Sequence, residues 1–442
     1  MCKVMKRYSI ITLGCKVNQH ESEVIAQHLK ASGWSCSNKN ENADLFLINT
    51  CTVTQSASMQ SRQAVRRAIR TNPKARIIVT GCYAQIEPDE IKKIKGVHDI
   101  IGNDCKYKIP EIIASFDGED RLCPESLSQD IYDEFEFKEI PADFFGNRTR
   151  PFLKIQDGCN AFCTYCIIPY ARGRSRSMPV ETVLKNIRQL KKAGYREVVI
   201  SGIHLGCYGL DLLPKTSLSE LIRDVSGLKI IDRVRLSSIE PVELTEDIIK
   251  LVAESDNICR HFHIPLQSGD NLILNRMHRG YTRSFFSELI VNINKLIPDA
   301  AIGLDILPGF PGETDEAFEN TYSLVKDLPV SYLHVFPFSP RKGTQAYSYT
   351  DKVHTKVIRA RCRKMRELGM DKKKEFYERF NGKTVEVLVE NKRDRASNLL
   401  KGLTSNYIPV KISGNDDLKN RIVKILIKET KGSSPVYGVI CN

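Results

Sequence analysis

No stretch of the sequence holds the roughly twenty consecutive apolar residues that a membrane-crossing helix needs, and charged residues make up 27% of its 442 positions. No transmembrane helix is therefore expected. The opening segment, MCKVMKRYSIITLGC, has a basic flank and a short apolar run but lacks a small-residue cleavage site, so it is not read as a signal peptide. Fourteen Cys in a chain of this length do not make a secreted disulfide scaffold. They fit a reducing compartment, as metal ligands and buried thiols, so a cytoplasmic location without membrane association is expected. A further absence is local. The stretch Lys154 to Ser177, KIQDGCNAFCTYCIIPYARGRSRS, carries Cys159, Cys163 and Cys166 as C-x3-C-x2-C, with no fourth Cys and no His. A structural zinc site takes four ligands and is closed. Three thiolates on a tight loop can instead hold three irons of a [4Fe–4S] cube and leave the fourth iron open. Cys123 and Cys207, the nearest other Cys, lie far away in sequence.

What is present begins with size and charge. The length suggests about three domains, each able to bury a core. Lys and Arg number 66 against 53 Asp and Glu, a net charge of +13, which suggests a polyanionic partner without requiring one. The N-terminal third repeats one theme, an apolar strand, a Cys and a helical pattern. YSIITLG runs into Cys15 and a helix from about Gln19 to Ala31. DLFLINT runs into Cys51 and a helix near Gln55 to Arg70. RIIVTG runs into Cys82 and a short helix from about Pro88. Such alternation implies right-handed crossovers and an open parallel sheet, whose sites form beyond the carboxyl ends of the strands. A single such Cys is usually a buried apolar filler. Three at equivalent strand ends point to one cluster. Cys2, Cys36 and Cys105 match none of these positions and are read as structural.

Asp117 to Asp143 breaks the pattern, with ten acidic residues against Arg121 and Lys138, and reads as an acidic connector in which Cys123 is incidental. From Phe152, candidate strands at Phe152–Ile155, Glu197–Ser201, Arg233–Ser237, Phe262–Ile264, Ile302–Leu307 and Tyr332–Pro337 alternate with helices such as Val180 to Ala193 and Thr282 to Leu296. That spacing suits a parallel partial barrel with its chemistry at the carboxyl-end loops. Those loops carry Gly202; Ser237, Ser238 and Glu240; His263, Gln267 and Ser268; and Asp305, Gly309, Gly312 and Glu313. A Gly there is usually a turn and a carboxylate often a helix cap. His261 and His263 share a strand face and are read as structural rather than as ligands.

Asp351 to Arg379 reads as a helix with Ile358, Cys362, Met365, Leu368, Phe376 and Phe380 on one face. Lys352, Lys356, Arg359, Arg361, Arg363, Lys364, Arg366, Lys372, Lys373, Lys374 and Arg379 fall on the other. The basic face is either solvated or turned to phosphates. From Gly382 to Asn442 the pattern changes to short strands, TVEVLVE, IPVKIS, RIVKILIKE and VYGVI, punctuated at NGK, KGLTSNY and SGND. This predicts a small all-β barrel with eleven basic and six acidic side chains, of the OB-like kind that can hold oligonucleotides. Tyr407 there is either a base-stacking platform or an ordinary barrel aromatic.

The Cys159–Cys166 loop, with Tyr165 just before its last Cys, resembles the signature of the radical S-adenosylmethionine (SAM) superfamily. The IPYARG that follows is similar to the methylthiotransferases, and GRSRS to their branch acting on threonylcarbamoyl-adenosine in tRNA. LGCKVNQ, NTCTVT and TGCYAQ resemble motifs of that family's N-terminal domain. The resemblance implies an α/β chain with four parts. These are an N-terminal domain over 5–117, an acidic connector over 118–144, a (βα)6 radical SAM partial barrel over 145–376 and a small TRAM barrel over 378–442. It implies two [4Fe–4S] clusters, one on Cys159, Cys163 and Cys166 with SAM on its open iron, the other on Cys15, Cys51 and Cys82. Asn18 and Thr52 stand beside the second set, as turn and cap residues or as supports for the ligands. Tyr165, Gly202, Ser238, Glu240 and Gln267 are the candidate SAM contacts, and no catalytic residue is identified beyond the cluster ligands. In the chemistry this implies, one SAM methylates sulfur at the N-terminal cluster. A second is cleaved to a 5′-deoxyadenosyl radical, which takes hydrogen from carbon 2 of the adenosine just 3′ of the anticodon, where methylthio is inserted. An anticodon-loop nucleotide is single-stranded and can be splayed into a pocket. The implied partners are tRNA, an electron donor such as a flavodoxin or ferredoxin system, and a sulfur donor of unspecified identity. The same chemistry on isopentenyl-adenosine or on a ribosomal-protein aspartate, and a non-catalytic iron–sulfur RNA-binding protein, are the alternatives.

Overall fold

The computed structural model of the chain describes residues 6–37, 43–115, 126–127, 131–134, 136–139, 148–428 and 436–441. Most of the acidic connector, with Cys123, and also Cys2 lie outside the described residues. The described residues divide into two compact units. One is built from residues within 1–146, 152–178 and 339–347, the other from residues within 147–151, 179–338 and 348–442.

The first unit is built on a six-stranded parallel sheet. Its elements run β1 (Arg7–Thr12), α1 (Lys16–Ala31), β2 (Ser35–Cys36), β3 (Leu45–Thr50), α2 (Gln55–Thr71), β4 (Arg76–Gly81), α3 (Cys82–Ile86), α4 (Pro88–Lys92), β5 (Asp99–Ile101), α5 (Ile109–Ala114) and β6 (Ser126–Leu127), with strand order β2-β1-β3-β4-β5-β6. Every residue of β3, LFLINT, is buried, as expected of a central parallel strand covered on both faces. One core gathers Phe46, Ile48, Val65, Ile77, Val79 and Ile91, another Tyr8, Ile25, Leu45, Leu47, Ile78 and Ile112. Thr54 caps α2 by accepting from Ala57 N at 3.0 Å. α1 begins earlier than its apolar pattern suggests, directly after Cys15, whereas α4 begins at Pro88 as expected and α3, which starts at Cys82 itself, is an additional short helix. The same unit contains β7 (Phe152–Lys154), β8 (Gln156–Asp157), α6 (Ile168–Arg172) and β9 (Arg176–Ser177), with β8 and β9 paired antiparallel.

The second unit alternates α7 (Val180–Lys192), β10 (Glu197–Ser201), α8 (Leu218–Gly227), β11 (Arg233–Leu236), α9 (Glu246–Glu254), β12 (His261–Gln267), α10 (Asn271–Arg276), α11 (Arg283–Leu296), β13 (Ala301–Ile306), α12 (Asp315–Asp327) and β14 (Tyr332–Val335). β10 pairs parallel with β11, and β12, β13 and β14 form a parallel sheet, the α/β barrel-type arrangement expected for the centre of the chain. α13 (Thr355–Glu378) follows, then a closed barrel of β15 (Thr384–Val389), β16 (Leu400–Thr404), β17 (Pro409–Ile412), β18 (Ile422–Ile427) and β19 (Val436–Ile440), ordered β15-β16-β17-β19-β18. KGLTSNY, expected as a turn, supplies most of β16, because Leu400 and Leu403 are buried in the barrel.

Two expectations about side chains, for Arg361 and Lys372, are corrected, and of the two readings of Tyr407 the packed aromatic is the one supported. With φ at +66° it stacks on His261 at 4.4 Å between centroids, at the amino end of β12. Arg235 donates to Thr404 O (3.0 Å) and Ser405 O (2.8 Å) beside it, and Asn406 donates to Asp299 O at 3.0 Å. The barrel's β16–β17 turn therefore closes the amino ends of the parallel strands. Arg361 does not belong to the basic outer face of α13, because it is buried and paired with Glu313 (2.7 Å) and Asp315 (2.6 Å). Lys372 also leaves that face and donates to Leu328 O at 3.0 Å.

Candidate metal centres

Cys15, Cys51 and Cys82 follow β1, β3 and β4, which are adjacent in the sheet, so all three stand at one carboxyl edge. Gly14 makes the approach possible. Its φ is +96°, and a Cβ there would lie 2.9 Å from Cys51 Cβ and 3.0 Å from its Sγ. Asn18, in the first turn of α1, donates to Leu13 O (2.8 Å) and Thr50 O (3.0 Å), tying the ends of β1 and β3 together. Asn18 therefore braces the ligand loops and is not a helix cap. Ser61 accepts from Cys51 N (3.3 Å) and donates to Cys51 O (3.0 Å). Thr52 accepts from Arg341 at 2.6 Å, and Arg341 also pairs with Glu87 at 2.9 Å. Asn103, just beyond β5, donates to Cys82 Sγ at 3.6 Å and to Ala171 O at 2.8 Å. Burial, reinforced by the neighbouring thiols Cys82 and Cys15, pushes Cys51 up to about 11. Burial is also the main cause raising Cys15, despite the solvent-open side of that residue. As free thiols both would be protonated at neutral pH, so a metal cation is what would hold them as thiolates.

The second triad is local. Gln156 donates to Asp157 O (2.9 Å), Gly158 O (2.8 Å) and Ser175 Oγ (2.9 Å), closing the neck of the loop. Cys159 N donates to Gly173 O at 3.0 Å and Cys166 N to Cys163 O at 2.9 Å. Gly158, at φ +73°, lies so close to the returning strand that a Cβ would stand 1.8 Å from Arg174 O. Cys159, Cys163 and Cys166 are half-buried, as is Tyr165. Among the described residues, neither triad is a set whose ligand atoms all lie within 4.8 Å of one another. Thiolates around one tetrahedral zinc, at about 2.3 Å each, would be about 3.8 Å apart. In each triad at least one pair of sulfurs is therefore wider than one zinc allows, whereas a cube puts a separate iron behind each sulfur.

A buried charge network lies in the same unit. Arg172, wholly enclosed at the end of α6, pairs with Asp157 (2.8 Å) and Glu21 (3.1 Å) and donates to Asn18 Oδ1 (2.5 Å). Glu21 also pairs with Lys106 (2.6 Å) and Lys154 (3.2 Å), and Lys154 with Asp157 (3.1 Å). Burial works against every charge here. Even so, Arg172, Lys106 and Lys154 hold Glu21 well below the usual carboxylate range, and Arg172 and Lys154 do the same for Asp157. For Arg172, the opposing charges that keep it protonated are Asp157 and Glu21. None of this network was read from the sequence. Its contacts join residues up to 154 positions apart, and each polar residue alone looks like a surface or cap residue.

The candidate SAM contacts divide between the units. Tyr165 sits on the cysteine loop. In the second unit Gly202 follows β10, Ser238 and Glu240 follow β11, and Gln267 ends β12 at φ +63°, so these four share the carboxyl edge. Ser238 is exposed. Glu240 is already engaged by Arg279, through a bidentate pair whose Nη1 arm is 3.2 Å, although burial raises its pKa. Glu313 accepts from Gly309 N (2.7 Å) and pairs with Arg361, a structural role. His261 shares a hydrogen bond with Tyr332 (2.8 Å) and is structural, while His263 pairs with Asp305 (2.8 Å) near His334.

Residues 153–325 match the radical SAM superfamily, and residues 7–102 match a family described as uncharacterized protein family UPF0004. The chain is 42% identical to the threonylcarbamoyladenosine tRNA methylthiotransferase MtaB of Bacillus subtilis, over 94% of this chain and 92% of that one. It is 37% identical to the Aquifex aeolicus protein of the same name, over 94% and 98%. A tRNA-2-methylthio-N(6)-dimethylallyladenosine synthase of Clostridium tetani is 36% identical, over 96% and 94%. Among solved structures, the radical S-adenosylmethionine methyltransferase TsrM of Kitasatospora setae, with cobalamin and a [4Fe–4S] cluster bound, superposes with a TM-score of 0.54. That match has 15% identity and covers 78% of this chain and 77% of that one, a likeness of fold.

Proposed function

The chain belongs to the tRNA methylthiotransferase family of radical SAM enzymes, and we propose that it inserts a methylthio group at carbon 2 of N6-threonylcarbamoyladenosine, just 3′ of the anticodon in tRNA. The observation that carries this reading is 42% identity, along nearly the whole of both chains, to a relative named for that activity. SAM and [4Fe–4S] clusters are its cofactors. Cys159, Cys163 and Cys166 would hold the cluster that binds SAM, and Cys15, Cys51 and Cys82 the other. Both donor sets fit in kind, being three free thiols each and not gathered closely enough around one point for a single zinc. When bound, a reduced cluster and SAM supply a radical able to take hydrogen from an aromatic carbon, a bond that acid–base groups cannot activate.

The chain's own residues hold, orient and enclose. Gly158 and Gln156 keep the cysteine loop tightly closed at its neck. Gly202, Ser238 and Gln267, at the carboxyl edge of the second unit, and Tyr165, on the cysteine loop of the first, are each candidate contacts of SAM. Glu240 would orient Arg279 beside them, since its carboxylate is already committed to that guanidinium. The C-terminal barrel, 378–442, would be the TRAM domain gripping tRNA, after the radical SAM domain of 145–376 and the N-terminal domain of 5–117. A flavodoxin or ferredoxin system would supply electrons in the cytoplasm. Among the described residues no helix is long and apolar enough to cross a membrane.

Relatives named for dimethylallyladenosine, at 36% identity, favour a second reading with the same chemistry on that nucleoside. Anaerobically reconstituted protein, given SAM, reductant and tRNAs bearing either modification, separates the two. Nucleoside mass spectrometry should show the methylthio product on threonylcarbamoyl-adenosine alone. Product only on dimethylallyl-adenosine, or none on either, overturns the first reading.

A further inference from the structure

Beside the strand-end cysteines, Lys106, Lys154 and Arg172 are ion-paired with Glu21 and Asp157 in groups that are nearly closed to water. Burying a cation is costly unless negative groups face it. The position of Arg172 relative to the cysteines is set by Asn18. Asn18 takes the Arg172 guanidinium on its carbonyl oxygen while its amide ties the end of β1 to the end of β3. Arg172 is in this way fixed to the loops that present Cys15 and Cys51. Asn103 completes the arrangement from the other side. One amide nitrogen donates to Cys82 Sγ and to Ala171 O, the residue before Arg172, and Asn103 N donates to Gln85 Oε1 at 2.7 Å, on the helix that Cys82 opens.

We propose that Arg172, as a buried cation held beside the cysteine loops, and Asn103, as a hydrogen-bond donor to the Cys82 sulfur, set the reduction potential of the iron–sulfur cluster held by Cys15, Cys51 and Cys82. They are positioning residues and touch no substrate. The inference rests on the proposed ligand assignment. Net charge and hydrogen bonds to sulfur are the protein's main means of tuning such clusters. A cation and an N–H donor both favour the reduced, more negative state, so losing either lowers the potential. Removing an anion from the same network must raise it. This opposition of sign separates tuning from loosened packing, which would not track charge.

The test uses the full chain with Cys159, Cys163 and Cys166 changed to Ala, reconstituted anaerobically with iron and sulfide, so that one cluster remains to be titrated. Potentiometry followed by electron paramagnetic resonance reads the reduced fraction. At the midpoint of this parent, Arg172→Gln and Asn103→Ala should each cut the reduced-to-oxidised ratio by about threefold or more. Glu21→Gln, nearly the same shape, should raise it by a similar factor of about three. Each variant should hold about four irons per chain, which certifies an intact site. Midpoints that do not move, or that move the same way in Arg172→Gln and Glu21→Gln, overturn the inference while leaving the ligand assignment standing. If Arg172→Gln does not fold, the opposed pair Asn103→Ala and Glu21→Gln decides alone. A parent that binds no cluster overturns the ligand assignment and the inference together.

Discussion

Cys159, Cys163 and Cys166 come from one short loop, whereas Cys15, Cys51 and Cys82 come from the ends of three separate strands. The loop is shaped by near neighbours, with its neck closed by Gln156 and by the contact of Cys159 N with Gly173 O. The strand-end set exists only once β1, β3 and β4 have paired, because its spacing is the spacing of strands in a sheet, about 4.8 Å per step. Its supports are long-range, from Asn18 to Thr50 O, from Asn103 to Cys82 and from Arg341 to Thr52. Spacing in the chain therefore specifies one site, and topology specifies the other.

The hardest way to break the comparison is to remove each set in turn. The intact protein should carry about eight irons in two cubes. Changing Cys159, Cys163 and Cys166 to Ala should halve iron and sulfide and abolish 5′-deoxyadenosine formation from SAM. Changing Cys15, Cys51 and Cys82 should also halve them but leave 5′-deoxyadenosine formation in place, with no methylthiolated nucleoside. Full product from the second variant, or one equivalent of zinc in place of iron in the intact protein, would refute the assignment of two clusters.

A finer cut weakens assembly without touching a ligand. Asn18→Ala takes from Thr50 O and Leu13 O the donor that Asn18 supplies and from Arg172 one of its three acceptor residues, a loss of about 1–3 kcal/mol for each uncompensated group. Iron should be stripped by a chelator faster from the strand-end site of this variant than from that site in the parent. The loop site should lose its iron at the parent rate, which is measured by keeping each triad alone in separate backgrounds. Equal acceleration at both sites would mean that the two are held by the same contacts and that the contrast drawn between them is wrong.

The same contrast explains what could be read before folding. The closeness of Cys159, Cys163 and Cys166 was legible because it follows from their spacing on one loop. The strand-end triad was legible because apolar runs each ended at a Cys, and parallel strands carry their ends to one edge. Asn103 and the Glu21–Arg172 network were not, since a polar residue in a sequence does not announce which distant partner will bury it. Arg361 shows the limit of reading a helix face. Its charge placed it with the solvated residues of α13, and only tertiary structure supplied the Glu313 and Asp315 that allow an arginine to be buried. Tyr407 and β16 were open or missed for a related reason, namely that a turn-like sequence can still be gripped by a partner such as Arg235.

The gentlest perturbation is pH, and it acts at the join between the two kinds of site. His20, on the helix that follows Cys15, is hydrogen-bonded at 2.7 Å through Nδ1 to Phe152 O, at the start of the strand leading into the cysteine loop. Burial first, and then the charge of Lys154, lower its pKa to about 4, so the imidazole is neutral and Nδ1–H is the donor. The unfolded chain takes up this proton near an ordinary pKa of about 6.5, whereas the folded one waits until about 4. The unfolded state therefore binds more protons between these values. Stability from this group is complete above about pH 6.5 and is lost progressively down to about pH 4, at most about 3 kcal/mol in all. Glu21 and Asp157, held well below their ordinary range, contribute stability that is lost only at lower pH. His20→Asn keeps a donor where Nδ1 stands and removes the titration. Denaturant unfolding of the metal-free protein should then show a shallower fall in stability from about pH 6.5 to about pH 4.5 than in the parent. The slope should change there and leave the plateau above about pH 7 almost level. An identical slope in the two proteins would show that His20 is not the buried neutral group joining helix α1 to the cysteine loop.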